Sequence, residues 1–219
     1  MELYGILFTI TMHPYLFSTT QFINTFRSAV IATPISLFEI KNIIQNQIRD
    51  IEEIFSVILD PWIKSRSEIF WFKEGNAMYN IAVYLLNEQG ELEVKFRQCD
   101  DRINKKNRNW KPGVGHVGRC FVLGTTSFGK NTETELQTTS KETKTERSED
   151  QFYYRSVIAE PIKVCDNIVG VLVITSSQAE QFQKDIHVPC VRVMAQLLGL
   201  GYEGIQGVNT DETPDTTSQ

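Results

Sequence analysis

The sequence predicts an α+β fold with two β-hairpins, a long helix before the first hairpin and another after the second. Three observations predict it. A stripe of aliphatic residues recurs at steps of three and four over residues 37–58, two hairpin patterns occupy 78–99 and 156–175, and a glycine-led helix lies between them. Of the 219 residues, 41% are hydrophobic and 22% charged, a globular composition that excludes wholesale disorder, collagen-like repeats and a polytopic membrane protein. With 22 Lys and Arg against 27 Asp and Glu, the net charge of −5 argues against nucleic acid as a partner. The pattern divides the chain into an apolar extension over 1–35, a folded domain over 36–203 and a disordered polar tail over 204–219.

Residues 3–17 are the most apolar stretch, but His13-Pro14 interrupts it and it is shorter than the roughly 20 residues a membrane span requires. With Glu2 and no Lys or Arg before Arg27, it also lacks the cationic start of a secretory signal. Two readings stay open: a helical extension that buries its apolar face, or a membrane-proximal anchor formed by residues 1–33. Ser36 and Glu39 form an S-x-x-E capping box, with Ile35 and Ile40 spaced as a hydrophobic staple, so a helix is expected to start there. Its stripe of Leu37, Ile40, Ile44, Ile48, Ile51, Phe55 and Ile58 runs until Asp60-Pro61, where the helix is expected to end. The stripe packs either on its own domain or on the same helix of a second copy, and a homodimer interface through these seven residues is expected.

Residues 78–86 are rich in β-formers, Asn87-Glu88-Gln89-Gly90 is a turn, and 91–96 alternates polar and apolar. The basic loop 102–111 lies beside Asp100-Asp101 and reads as solvated surface. Pro112-Gly113-Val114-Gly115-His116-Val117-Gly118 contains GxGxxG, but charged residues and a proline precede it instead of the buried strand a dinucleotide site needs. Its glycines are expected to set a turn and a close-packed helix over 114–123 that ends near Gly124. Residues 131–150, nearly without large hydrophobes, read as a long mobile loop of the kind that forms lids. The second hairpin, over 156–164 and 168–175, turns at Cys165-Asp166-Asn167. A helix over 183–200 then closes the fold, carrying Val191, Met194, Leu197 and Leu198 on one face, with Pro189 marking a kink or a later start.

Four cysteines (Cys99, Cys120, Cys165, Cys190) and three histidines (His13, His116, His187) are scattered without CxxC, HExxH or zinc-ligand spacing, so neither metal nor cofactor is expected and the thiols read as reduced and cytoplasmic.

The order helix, hairpin, glycine-led helix, variable loop, hairpin, helix resembles a GAF domain. The residues that carry the resemblance are Asn87 to Gly90 (D/N-x-x-G), Pro112 to Gly118 (P-G-x-G-x-x-G), Ser156-Val157-Ile158-Ala159-Glu160-Pro161-Ile162 with Gly170-Val171-Leu172, and Ala195-Gln196-Leu197-Leu198. It spans about residues 37 to 202. The resemblance implies terminal helices on one face of the sheet and a ligand pocket on the other, roofed by the glycine-led helix and the variable loop. It implies a sensory or regulatory module that dimerises through its terminal helices and signals to a separate output protein. The pocket would draw on Trp110, Val114, Val117, Phe121, Phe152, Tyr154, Arg155 and Ser156. Their aromatics and one guanidinium suit a flat anionic molecule such as a nucleotide. No N-K-x-F-D-E motif of the cyclic-nucleotide-binding members is present, and the flanks of Cys120 and His116 do not match a bilin attachment site. No catalytic residue is expected in this role. The alternatives are a thiol enzyme resembling the free methionine-R-sulfoxide reductases, for which only Cys99 and Cys120 could serve, and a structural or membrane-tethered dimerisation scaffold.

Overall fold

The computed structural model describes residues 50–72, 75–103, 107–132 and 153–210. Helix α1 spans Ile51–Lys64 and α2 spans Arg66–Ile69. Strands β1 (Tyr79–Leu86) and β2 (Leu92–Cys99) follow, then helix α3 (Gly115–Leu123), strands β3 (Ser127–Gly129), β4 (Ser156–Val164) and β5 (Asn167–Ser176), and helix α4 (Lys184–Thr210). The five strands form one sheet in the order β2-β1-β5-β4-β3, every neighbouring pair antiparallel.

Alternation along the central strands sorts two cores. Ile81, Val83 and Leu85 of β1, Ile158 and Ile162 of β4 and Leu172 and Ile174 of β5 join α1 and α4 on one face. Ala82 and Tyr84, Val157 and Ala159, and Val171 and Val173 join Val117 and Cys120 of α3 on the other. The terminal helices therefore share one face of an antiparallel sheet while α3 covers the opposite one, as the fold class requires.

Several boundaries differ from those read in the sequence. The first described helix does not continue unbroken from Ser36. Asp50 is extended (φ −108°, ψ 128°), and its side chain accepts the amide of Glu52 as an N-cap at Ile51. Nor does the helix end at Asp60-Pro61. It runs through Pro61 to Lys64, because Leu59, Trp62 and Ile63 on either side of the proline are all buried and Asp60 pairs with Lys64. Phe55 is fully buried and Ile58 is 4% exposed, both inside the chain's own core with α4, so at these two positions the stripe is consumed within the domain. Ile51 is half-buried against the same core. Leu37, Ile40, Ile44 and Ile48 lie outside the described residues, as do residues 1–33 and most of the loop 131–150. Among the described residues no helix is long and apolar enough to cross a membrane.

The closing helix starts at Lys184, upstream of Pro189, and continues to Thr210 instead of stopping near residue 200, so the backbone of 204–210 is helical. Proline is tolerated in its second turn because the carbonyl it leaves unbonded belongs to the first turn. Val191, Met194 and Leu198 are fully buried and Leu197 partly so, the face expected of them. Helix and sheet meet backbone to backbone at Gly199, where an added Cβ would collide with the carbonyl of Lys163. The three-residue strand β3 carries no pattern long enough to have been read from sequence.

Candidate functional site

The face covered by α3 is built by the glycine motif. Gly113 and Gly115 have φ of 87° and 63°, a left-handed path that a β-carbon disfavours. Above Gly115 lies the indole of Trp110, which a Cβ at that residue would meet at 2.7 Å. Gly118 brings α3 against the carbonyl of Lys111, again with no room for a side chain. Gly124, with φ 63°, ends the helix and donates its N–H to the Cys120 carbonyl. The motif therefore serves a turn and a close approach, with no phosphate-binding strand before it.

Trp110 is fixed by two backbone hydrogen bonds with Leu92, 2.8 and 2.9 Å, and the Arg108 guanidinium sits 4.1 Å above its ring. Its indole Nε1 is buried with no hydrogen-bond partner. Val114 precedes α3 in extended conformation and is half-buried. Val117 and Phe121 pack into the cluster between α3 and the sheet. Tyr154 hydroxyl accepts a hydrogen bond from Arg97 Nη2 at 2.8 Å. Arg155 is half-buried, and its backbone ties the start of β4 to Ser176 and Thr132. Phe152 lies outside the described residues. Ser156 departs from expectation. It shares the parity of Ile158 and Ile162, which face the terminal helices, and its hydroxyl donates to the Gln178 carbonyl at 2.8 Å, so it does not line the α3 face.

The structure adds a polar group that the sequence did not reveal. Arg97 Nε donates to Asn80 Oδ1 at 2.6 Å and Nη1 to Asn107 Oδ1 at 3.3 Å, while Asn80 Nδ2 donates to Thr175 Oγ1 at 3.4 Å. Arg97 reaches the α3 face because β2 is bulged. Pairing shifts between Val83 and Tyr84, so Val94 lies opposite Tyr84 but Phe96 opposite Val83, leaving Lys95 as the extra residue. Simple alternation would put Phe96 beside Val94 and send Arg97 to the helix side. The bulge instead buries Phe96 under α1 and α4 and turns Arg97 and Cys99 toward the α3 side, opposite Ala82 and Asn80.

Two titratable groups of α3, His116 and Cys120, are held neutral. Burial, with the Arg119 charge adding to it, pushes His116 down to about 4. Burial, and then the charge of Glu160, pushes the Cys120 thiol up to about 12. Cys120 is 1% exposed and packed in the cluster, so it offers no free thiol for attaching a chromophore. Among the described residues no three His, Cys, Asp or Glu side chains are grouped to hold a metal ion. A separate groove of about 360 Å³ is lined by Trp71, Asn76, Ala77 and residues 178–181 and 183, none of them an expected site residue.

This arrangement is the GAF fold, and comparison with solved structures agrees. The GAF domain of a phosphoenolpyruvate-protein phosphotransferase from Coxiella burnetii matches with a TM-score of 0.58 at 16% identity, covering 86% of this chain and 98% of that one. The GAF domain of the corresponding Acinetobacter protein gives 0.56 at 13% identity over 91% of this chain and 100% of that one. A free methionine-R-sulfoxide reductase of Neisseria meningitidis, solved with its substrate, gives 0.54 at 17% identity over 82% of this chain and 92% of that one. No protein-family model matches the chain, and no curated protein matches it in sequence.

Proposed function

We propose that this chain is a non-catalytic GAF-type binding module that takes a small, flat anionic molecule such as a nucleotide on the α3 side of its sheet. Occupancy is read out through the terminal helices by a second copy of the chain or a separate output protein, in the cytoplasm. The observation that carries the reading is the placement of Arg97, whose guanidinium is oriented by Asn80, Asn107 and Tyr154 on the face that α3 covers. Tyr153 and Tyr154, with ring centroids 6.3 Å apart, supply aromatic surface beside it. The test is native mass spectrometry of the full chain purified from its own host, followed by thermal shift with nucleoside mono-, di- and cyclic phosphates. A retained small anion that is lost on denaturation, with affinity reduced at least tenfold in Arg97→Met, is the expected result. A bare polypeptide that no nucleotide stabilises would overturn it.

Thiol catalysis is the second reading, favoured by the reductases of the same fold and by Cys99 on the α3 side. Against it, a nucleophilic cysteine needs an accessible, acidified thiol. Cys99 is 2% exposed, and Cys120 is both buried and driven to about 12. Cys99→Ser and Cys120→Ser are expected to leave ligand binding intact, and no turnover of free methionine sulfoxide is expected from the unaltered chain.

A further inference from the structure

Thr126 and Ser127, adjacent at the start of the edge strand β3, hold different helices on opposite faces of the sheet. Ser127 lies opposite Ala159, on the α3 side, and its hydroxyl shares a hydrogen bond of 2.8 Å with His116 Nδ1. Thr126 is engaged on the other side. Its hydroxyl donates to Glu160 Oε2 at 2.5 Å, Arg192 of α4 donates from Nε to Glu160 Oε1 at 2.9 Å, and Arg192 Nη2 donates back to Thr126 Oγ1 at 3.1 Å. The three side chains close a ring in which the Thr126 hydroxyl both donates and accepts. Glu160 lies at 5% exposure, with the parity of Ile158 and Ile162 that face the terminal helices.

Such a ring resists partial change. A buried carboxylate that loses one of its donors is left undersolvated, so the arrangement favours being wholly formed or wholly broken. β3 is only three residues long and, among the described strands, pairs with β4 alone, which makes it the strand best able to shift without disturbing the rest of the sheet. A displacement of α3 would pull Ser127 through His116. Thr126 would move with its neighbour, and the ring would pass the displacement to Arg192 on α4.

We propose that Thr126-Ser127 is a through-sheet coupler that links the position of the pocket-roofing helix α3 to that of the terminal helix α4. As the output route of a pocket it rests on the binding reading above, but its test needs no ligand, so the two fail separately. Hydrogen exchange measured by mass spectrometry on the full chain compares the unaltered protein with Ser127→Ala, Thr126→Val and Arg192→Lys. Ser127 lies opposite Ala159 and its hydroxyl bonds His116 on the α3 side, so the deciding result is remote: Ser127→Ala speeds exchange about tenfold in α4 around Arg192. Reciprocally, Arg192→Lys, which keeps the charge but not the two-pronged geometry, speeds exchange in α3. Thr126→Val, nearly isosteric, does both, and β1 and β5 stay at their original rates. Acceleration confined to the substituted side overturns the proposal, as does a uniform rise that includes β1 and β5.

Discussion

A single methyl group separates tolerance from disruption at Gly118 and Gly199, where helix backbone rests directly on a carbonyl of another segment. Alanine at either position is expected to cost about 1–3 kcal/mol through overpacking, read as a lower urea midpoint at unchanged m-value. The histidines give the molecule a direction of acid sensitivity. His187 is fully buried among Phe70, Trp71 and Phe182, its Nδ1 accepts the Gln183 amide at 2.8 Å, and burial lowers its pKa to about 4, as it does for His116. Both folded-state values lie below the ordinary histidine value, so the unfolded chain binds protons first. Their contribution to stability is fully present above about pH 6.5 and is lost as pH drops toward 4, by up to about 3 kcal/mol per histidine. Urea midpoints at pH 7 and 4.5 should separate for the parent chain and draw closer in His116→Gln. At this scale, legibility followed locality. The glycines were readable because turns and close approaches are written in short spacing, whereas Arg97 was not, because a bulge set by cross-strand pairing decides which way it points. Ser156 was misplaced for a related reason: a motif fixes a residue's strand, but its face depends on which neighbours the strand buries.

Among the elements, α1 separates existence from extent. Its aliphatic period was plain in the sequence, yet its described start is set by Asp50, a cap as competent as the Ser36 box, and its end by burial beyond Pro61. Propensity rules place a stop at a proline, but six buried side chains along the helix outweigh one missing hydrogen bond. Because Phe55 is spent inside the chain, Phe55→Ala is expected to lower stability by about 3–5 kcal/mol. The loss should be the same at every protein concentration, measured by thermal unfolding over a hundredfold dilution. A helix whose Phe55 were a dimer seam would instead show a concentration-dependent midpoint. β3 lay below the reach of pattern reading, since three residues cannot display an alternation.

For the whole molecule, the fold class was legible because order and spacing of weak signals constrain one another: two hairpins, a glycine-led helix between them and helices outside leave few ways to bury both sheet faces. The site was half legible. Trp110, Val117, Phe121 and Tyr154 do gather on or beside the α3 face, while the polar group around Arg97 is assembled from β1, β2, β5 and two loops, and so has no signature in any one segment.

The sheet order also dictates when this protein can become itself. β1 is paired with β2 early in the chain, but its other edge waits for β5, and Met78 bonds to Ser177, 99 positions away. The β1–β2 hairpin therefore leaves the ribosome with an open, apolar flank that closes only when β5 has been made. Such non-local closure is slow compared with helix formation, and a chain stalled or cut before β5 would present that flank to its neighbours. In this architecture, whether β1 and β2 stay soluble long enough to fold depends on how soon β5 arrives to pair with them.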